Sequence, residues 1–191
     1  MFDLDGTLTR PGAIDFARLR ARLALQPGED ILGHTAALPT PAQRAAAHAI
    51  IAEEEELGLA RVEAMAGAAE LCAFFPQRPP PLLRTGVLTR NSERVMERTL
   101  AALALPHAFD LTLSRDWPGG PPKPHPAALL HMAAAWGLAP ADCVMVGDHS
   151  DDLLAGRAAG FTTVLIGEDR EARAHADHCI TSLAELLPLL A

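Results

Sequence analysis

From residue 82 to the end of the chain, short apolar runs alternate with stretches of helical period. Residues 82–89 read as a strand, and 91–105 as a helix with Asn91 or Ser92 near its cap. Residues 109–114 form a second apolar run, and 126–137 a helix with Gly137 as its C-terminal cap. A third strand is expected at 143–147, a helix at 151–159 closed by Gly160, and a fourth strand at 162–166. A short strand at 178–180 and a helix at 183–190 finish the pattern. Strands alternating with helices in this way predict an α/β fold built on a doubly wound parallel sheet. Ligands of such sheets gather at the carboxyl ends of the strands.

The residues before this alternation pattern differently. The stretch 14–25 is amphipathic, 41–59 is a longer helical run, and 62–75 holds a third helix with Gly67 as an interruption. Strand-like alternation is absent there. An all-helical insertion after the first strand is the expectation, hence a small cap domain or lid at 11–79 on a core of 1–10 and 80–191. The proline-rich 76–81 segment would be the return linker. The acidic run Glu53, Glu54, Glu55 and Glu56 predicts a solvated helix face.

Composition narrows the partners. With 49% apolar residues among 191, the chain is not of the disordered class. A net charge of −8 argues against nucleic acid or an anionic membrane as main partner. Cys72, Cys143 and Cys179 are widely spaced without a CxxC, and read as reduced thiols serving as small buried hydrophobes. No signal peptide precedes Asp3, and no apolar run approaches the ~20 residues of a membrane helix, so a cytoplasmic protein is expected. Fifteen basic residues are Arg and the one lysine is Lys123. A coding bias toward Arg and Ala explains the shortage, so position must decide whether Lys123 matters.

Polar groups stand where the strands end. In Met1-Phe2-Asp3-Leu4-Asp5-Gly6-Thr7, strand alternation would point Asp3 and Asp5 the same way, roughly 6–7 Å apart. Gly6 then permits a turn. Such a pair suits a nucleophile, an acid/base and a metal. The second strand ends at Thr89, Arg90 and Asn91, where a hydroxyl beside the first helical N–H groups can hold a phosphoryl oxygen. A plain N-cap explains the same residues. Lys123 sits among Pro121, Pro122, Pro124 and Pro126, which fix the backbone and aim its ammonium; alone, it reads as an exposed loop lysine. Val144-Met145-Val146-Gly147-Asp148 ends the third strand, and Asp152 follows four residues on at a helix start. Acids there offset a helix dipole, yet Asp148 after so apolar a run is better read as part of a cation site.

Joined in order, Asp3-Leu4-Asp5-Gly6-Thr7, Thr89, Lys123-Pro124 and Gly147-Asp148 with Asp152 resemble the haloacid dehalogenase-like (HAD) superfamily of phosphohydrolases. The resemblance spans the whole chain and implies a Rossmann-like core with a C1-type helical cap. It implies Asp3 as the nucleophile that forms an aspartyl-phosphate, and Asp5 as the acid/base. Thr89, Arg90, Asn91 and Lys123 would bind substrate, with Thr89 and Lys123 also serving the chemistry. Mg²⁺ would sit among Asp3, the Asp5 backbone carbonyl, Asp148 and Asp152, with Asp151 as an alternative to Asp152. Four carboxylates against one lysine leave a charge deficit that a small hard cation fits. His149 is open between touching metal-bound water or substrate and a plain loop role.

What the resemblance implies is a Mg²⁺-dependent phosphatase of the phosphoglycolate phosphatase-like group, acting on a small phosphorylated metabolite as a monomer or homodimer. The alternatives are a phosphomutase of the same superfamily and a catalytically weak binding or regulatory domain. The presence of Asp5 disfavours carbon–halogen cleavage, which needs no proton at the leaving group. Relatives lead into the first motif with several hydrophobic residues, where this chain has Met1 and Phe2. The start is therefore expected upstream of Met1, or the chain as it begins here to be less stable and less active than an extended form.

Overall fold

A computed structural model describes residues 1–77, 83–105 and 109–190. The chain divides into two compact units, residues 12–62 and residues 1–11 together with 63 onward. The linker at 76–81, the 79/80 boundary and the start of the 82–89 strand fall wholly or partly outside the described residues.

Residues 12–62 are helical throughout their regular structure. Helix α1 (Phe16–Arg22) is capped by the Asp15 carboxylate, which accepts from Arg18 N–H. Helix α2 (Ile31–Ala37), capped by Asp30, was not expected from the sequence. Helix α3 (Pro41–Leu59) begins with a reciprocal Thr40–Gln43 capping box and proline at the first turn, which is why its limits were legible. Leu19, Leu25, Ile31 and Ile51 bury against one another as this unit's core.

The acidic run on α3 departs from the expected solvated face. Glu54 and Glu55 are buried, and Glu54 is 1% exposed. Arg18 grips Glu54 through Nε (2.9 and 3.0 Å) and Nη2 (2.6 Å), and Arg22 Nη1 adds a contact at 2.9 Å. These charge-assisted bonds replace the lost water. Hydrogen bonds from Arg18, working against burial and joined by those from Arg22, hold the Glu54 carboxyl below its ordinary 4.5. A depressed carboxyl stabilises above its unfolded value and loses that contribution as pH falls. Glu54→Gln is therefore expected to lower the melting temperature at neutral pH more than Glu53→Gln. The difference should narrow progressively as pH falls below 4.5, and equal melting curves at pH 7 would contradict it.

The second unit is layered around a parallel sheet. Its regular elements run α4 (Ala68–Phe74), β1 (Gly86–Leu88), α5 (Glu93–Ala102), β2 (Leu111–Leu113), α6 (Ala127–Trp136), β3 (Val144–Gly147), α7 (Ser150–Ala159), β4 (Thr162–Ile166), α8 (Arg170–Arg173) and β5 (His178–Ile180). A final 3₁₀ segment spans Leu183–Leu189 where an α-helix was expected, with Pro188 inside it. Helix α4, preceded by Gly67 at φ +81°, belongs to this unit. Strand β1 pairs with β2, β3 with β4, and β4 with β5, all parallel. Phe2 bridges both groups, opposite Val87 and Val146. The order across the sheet is thus β2, β1, the segment around Phe2, β3, β4, β5.

The two faces bury separate layers, as period-2 alternation requires. Phe2, Val87, Val146 and Val164 join Leu71 of α4 and Met96 and Leu100 of α5 on one side. Met1, Leu88, Leu113 and Met145 join Leu129 and Met132 of α6 and Ala155 of α7 on the other. Cys143 is buried, Cys72 half-buried and Cys179 exposed on edge strand β5, so the expectation of three buried thiols holds only for the first. Among the described residues no helix is long and apolar enough to cross a membrane.

Candidate active site

The segment around Phe2 carries the site to the sheet's carboxyl edge. Phe2 N–H donates to Gly86 O at 2.8 Å, Asp3 N–H to Val146 O at 2.9 Å, and Leu88 N–H to Phe2 O at 2.9 Å. Asp3 therefore emerges between the ends of β1 and β3. Asp5 does not continue the strand. A turn begins after Leu4, whose carbonyl accepts from both Leu8 and Thr9 N–H at 2.9 Å. The relation of Asp5 to Asp3 is set by this turn rather than by a pleat, contrary to the alternation expected from sequence.

Lys123 is the largest departure from the bland reading of its motif. Far from a solvated loop lysine, it is 4% exposed. Its ammonium donates to Asp3 Oδ1 at 2.5 Å and Leu88 O at 2.8 Å, and lies 2.6 Å from Asp152 Oδ1. Burial alone would lower its pKa, but the carboxylates of Asp152 and Asp3 outweigh that and raise it, so Lys123 is charged.

Carboxylate oxygens of Asp3, Asp148 and Asp152 lie within 4.8 Å of one another. Burial pushes the Asp3 carboxyl well above its ordinary value, opposed by Lys123 and reinforced by Asp152, Asp148 and Asp5. Burial and the Asp152 charge together push Asp148 up to about 6. Three acids against one ammonium is an excess of negative charge, and hard oxygen donors at this spacing suit a small divalent cation. The donor set fits such an ion. Asp152, not Asp151, belongs to this cluster. Asp152 is buried, while Asp151 is half-buried and accepts from Arg90 Nη1 at 2.9 Å.

The remaining predicted residues take up specific partners. Thr89 and Asn91 are buried, and Thr89 Oγ1 accepts from Asn91 N–H at 3.1 Å, which leaves the hydroxyl proton to donate. The Asn91 side-chain amide donates to Asp5 Oδ2 at 2.6 Å. Arg90 is half-buried, and Arg115 Nη1 donates to its carbonyl at 3.4 Å. His149 caps α7: its Nδ1 accepts from Asp151 N–H and its own N–H donates to Asp152 Oδ2, both at 3.2 Å. A capping role thus accounts for His149. Thr7 is a site residue whose partner the sequence did not reveal; it is fully buried and donates to Asp148 Oδ1 at 3.3 Å.

Gly6 makes the turn compatible with these acids. Its φ is +77°, and a β-carbon there would collide with the Asp148 carboxyl group. Gly6→Ala is expected to cost ~1–2 kcal/mol in backbone strain and to displace Asp148 in addition. A lowered melting temperature together with a weaker response to divalent cations would show this; an unchanged variant would refute it.

A family model of haloacid dehalogenase-like hydrolases matches residues 1–160. The chain belongs to that family. Within it, a haloacid dehalogenase-like hydrolase domain-containing protein of Arabidopsis thaliana is 33% identical over 180 residues, 88% of this chain and 70% of that protein. A phosphoglycolate phosphatase of Nitrosococcus oceani is 36% identical over 83 residues, which are 44% of this chain and 36% of that enzyme. The crystal structure of a hydrolase from Pseudomonas syringae matches with a TM-score of 0.80 at 23% identity, over 99% of this chain and 95% of that one. The structural likeness shows the shared fold, and the family match makes this haloacid dehalogenase-like protein a hydrolase.

Proposed function

We propose that this haloacid dehalogenase-like hydrolase is a cytoplasmic Mg²⁺-dependent phosphatase of a small phosphorylated metabolite, a phosphoglycolate- or sugar-phosphate-like monoester. The observation that carries the reading is the convergence of a buried ammonium and three carboxylates on one point of the sheet's carboxyl edge. Asp3 is the nucleophile: its carboxylate forms a bond to phosphorus while the bond from phosphorus to the ester oxygen breaks. Asp5 gives its proton to that departing oxygen, then takes a proton from the water that attacks the aspartyl-phosphate. Inorganic phosphate leaves and both aspartates return to their starting states. Lys123 and the Thr89 hydroxyl hold the phosphoryl oxygens, and Arg90 contacts substrate at the rim. Mg²⁺ held by Asp3, the Asp5 carbonyl, Asp148 and Asp152 would supply positive charge against the phosphoryl group. The helical insertion is the family's C1-type cap domain, centred on the compact unit 12–62 within the 11–79 expected from sequence.

A phosphate-release screen over small phosphomonoesters, with Mg²⁺ and with a chelator, tests the reading. Release from a subset of esters that stops with the chelator is the expected result. Conversion of an ester to its isomer without free phosphate would favour a mutase, and inactivity on all esters would oppose the phosphatase reading.

A further inference from the structure

We propose that Asn91 is a positioning residue that acts through Asp5, and that its side-chain amide does not grip the transferring phosphoryl group. This deepens the phosphatase reading above and rests on it. The direction of the Asp5 carboxyl depends on side-chain contacts, of which the Asn91 bond is one. Asp5 lies in a turn, not in a strand whose ladder would fix it, and it is only half-buried. The terminal torsion of a carboxyl group is broad and roughly two-fold, so the backbone alone does not set the plane of its oxygens.

Asn91 makes that contact from a rigid base. It is 6% exposed, and its backbone is tied at both ends: N–H donates to Thr89 Oγ1 at 3.1 Å, and its carbonyl accepts from Arg115 N–H at 2.9 Å. From there Nδ2 reaches Asp5 Oδ2 at 2.6 Å. The same short segment thus presents Thr89 to the phosphoryl group and Asn91 to the acid that serves the leaving oxygen. A general acid must come within ~2.6–3.2 Å of the oxygen it protonates. The Asn91 bond restricts which way Asp5 can turn to do so.

A positioning role and a phosphoryl grip differ in how they depend on the leaving group. An aryl ester such as p-nitrophenyl phosphate expels a stabilised anion and needs little protonation, whereas an alkyl ester accepted by the wild type needs the acid. The parameter to compare is kcat/KM, which covers the steps up to departure of the leaving group. For Asn91→Leu, which removes the donor at similar volume, kcat/KM for the alkyl ester is expected to fall about 100-fold, the scale of a misplaced catalytic group. For the aryl ester it should stay nearly unchanged, and Asn91→Gln, which keeps an amide donor, should recover part of the alkyl loss. Equal losses on both esters would overturn the proposal in favour of a phosphoryl grip, as would no loss on either. If Asn91→Leu does not fold, the same comparison is made with Asn91→Ser, for which a greater loss on the alkyl ester is expected. A wild type that releases phosphate from none of the screened esters would overturn the phosphatase reading itself, an outcome distinct from a parallel loss in the variant.

Discussion

Asp3→Asn is expected to lower phosphate release by at least ~10⁴-fold, the scale on which loss of a catalytic nucleophile is felt, while raising the melting temperature of the metal-free protein. The first effect follows from the proposed covalent step, since a carboxamide oxygen does not form the acyl-phosphate. The second follows from electrostatics. Burial and the surrounding acids raise Asp3 well above its ordinary 3.8, so the folded protein disfavours its charged form. A carboxyl raised in the folded state costs stability once the pH exceeds its unfolded value, and the cost grows until the folded group also ionises. Asparagine removes the charge and keeps an oxygen that can accept from Lys123, whose other partners, Asp152 and the Leu88 carbonyl, are untouched. Each ~1 kcal/mol gained should appear as roughly 2–4 °C for a chain of this size. The gain should shrink as pH falls toward 3.8. A lower melting temperature for Asp3→Asn at neutral pH would contradict this description of the cluster.

Lys123→Met is expected to show the opposite stability change and also to abolish activity. Lys123 is the ammonium in direct contact with Asp3 and Asp152, and all three are buried. Breaking a buried ion pair from one side costs ~3–5 kcal/mol because the remaining charge has neither water nor partner. On the same conversion that is a fall of about 10 °C. The pKa of Lys123 is raised in the folded state, so its contribution is complete below its ordinary 10.5 and does not vary across neutral pH. Lys123→Arg should restore little activity, because a planar guanidinium cannot occupy the compact point shared by Asp3 Oδ1, Asp152 Oδ1 and Leu88 O. Thermal melts of both variants across neutral pH, with phosphate-release assays alongside, check these outcomes. A Lys123→Met protein as stable as wild type would mean that the ammonium does not neutralise these acids.

Much of the fold was legible because local signals coincide with its elements. Thr40, Gln43 and Pro41 mark the start of α3, and Gly137 and Gly160 close α6 and α7 in left-handed geometry. The limits of β4 and β5 match the apolar runs that announce them. Helices α2 and α8 were not expected from the sequence; α8, with four residues, makes only about one turn. Glu54 misled for a different reason. An acidic run looks solvated until Arg18 and Arg22 are brought to it from a separate helix.

The candidate site was legible as positions and illegible as pairings. Motif spacing drew attention to Asp3, Thr89, Lys123, Asp148 and Asp152, and the chain brings them to one edge of the sheet. Nothing local distinguishes Lys123 from an exposed lysine, because its partner Asp3 lies 120 residues away. The same holds for Thr7 with Asp148 and Asn91 with Asp5, at separations of 141 and 86 residues. Adjacent acids were equally opaque. Asp151 and Asp152 differ in role because helix α7 turns one toward Lys123 and the other toward Arg90.

In the proposed reaction Asp3 becomes covalently phosphorylated during turnover. This step is tested most directly by mixing enzyme, Mg²⁺ and an accepted phosphomonoester, quenching in acid, and reducing with borohydride, which converts an aspartyl-phosphate to homoserine. Trypsin should cut after Arg18 and release Asp3 on the peptide that ends there, since Pro11 protects the bond after Arg10. Homoserine is expected at position 3, dependent on substrate and absent from Asp3→Asn. Phosphate release with no modified aspartate, or with the modification at Asp5, Asp148 or Asp152, would contradict it.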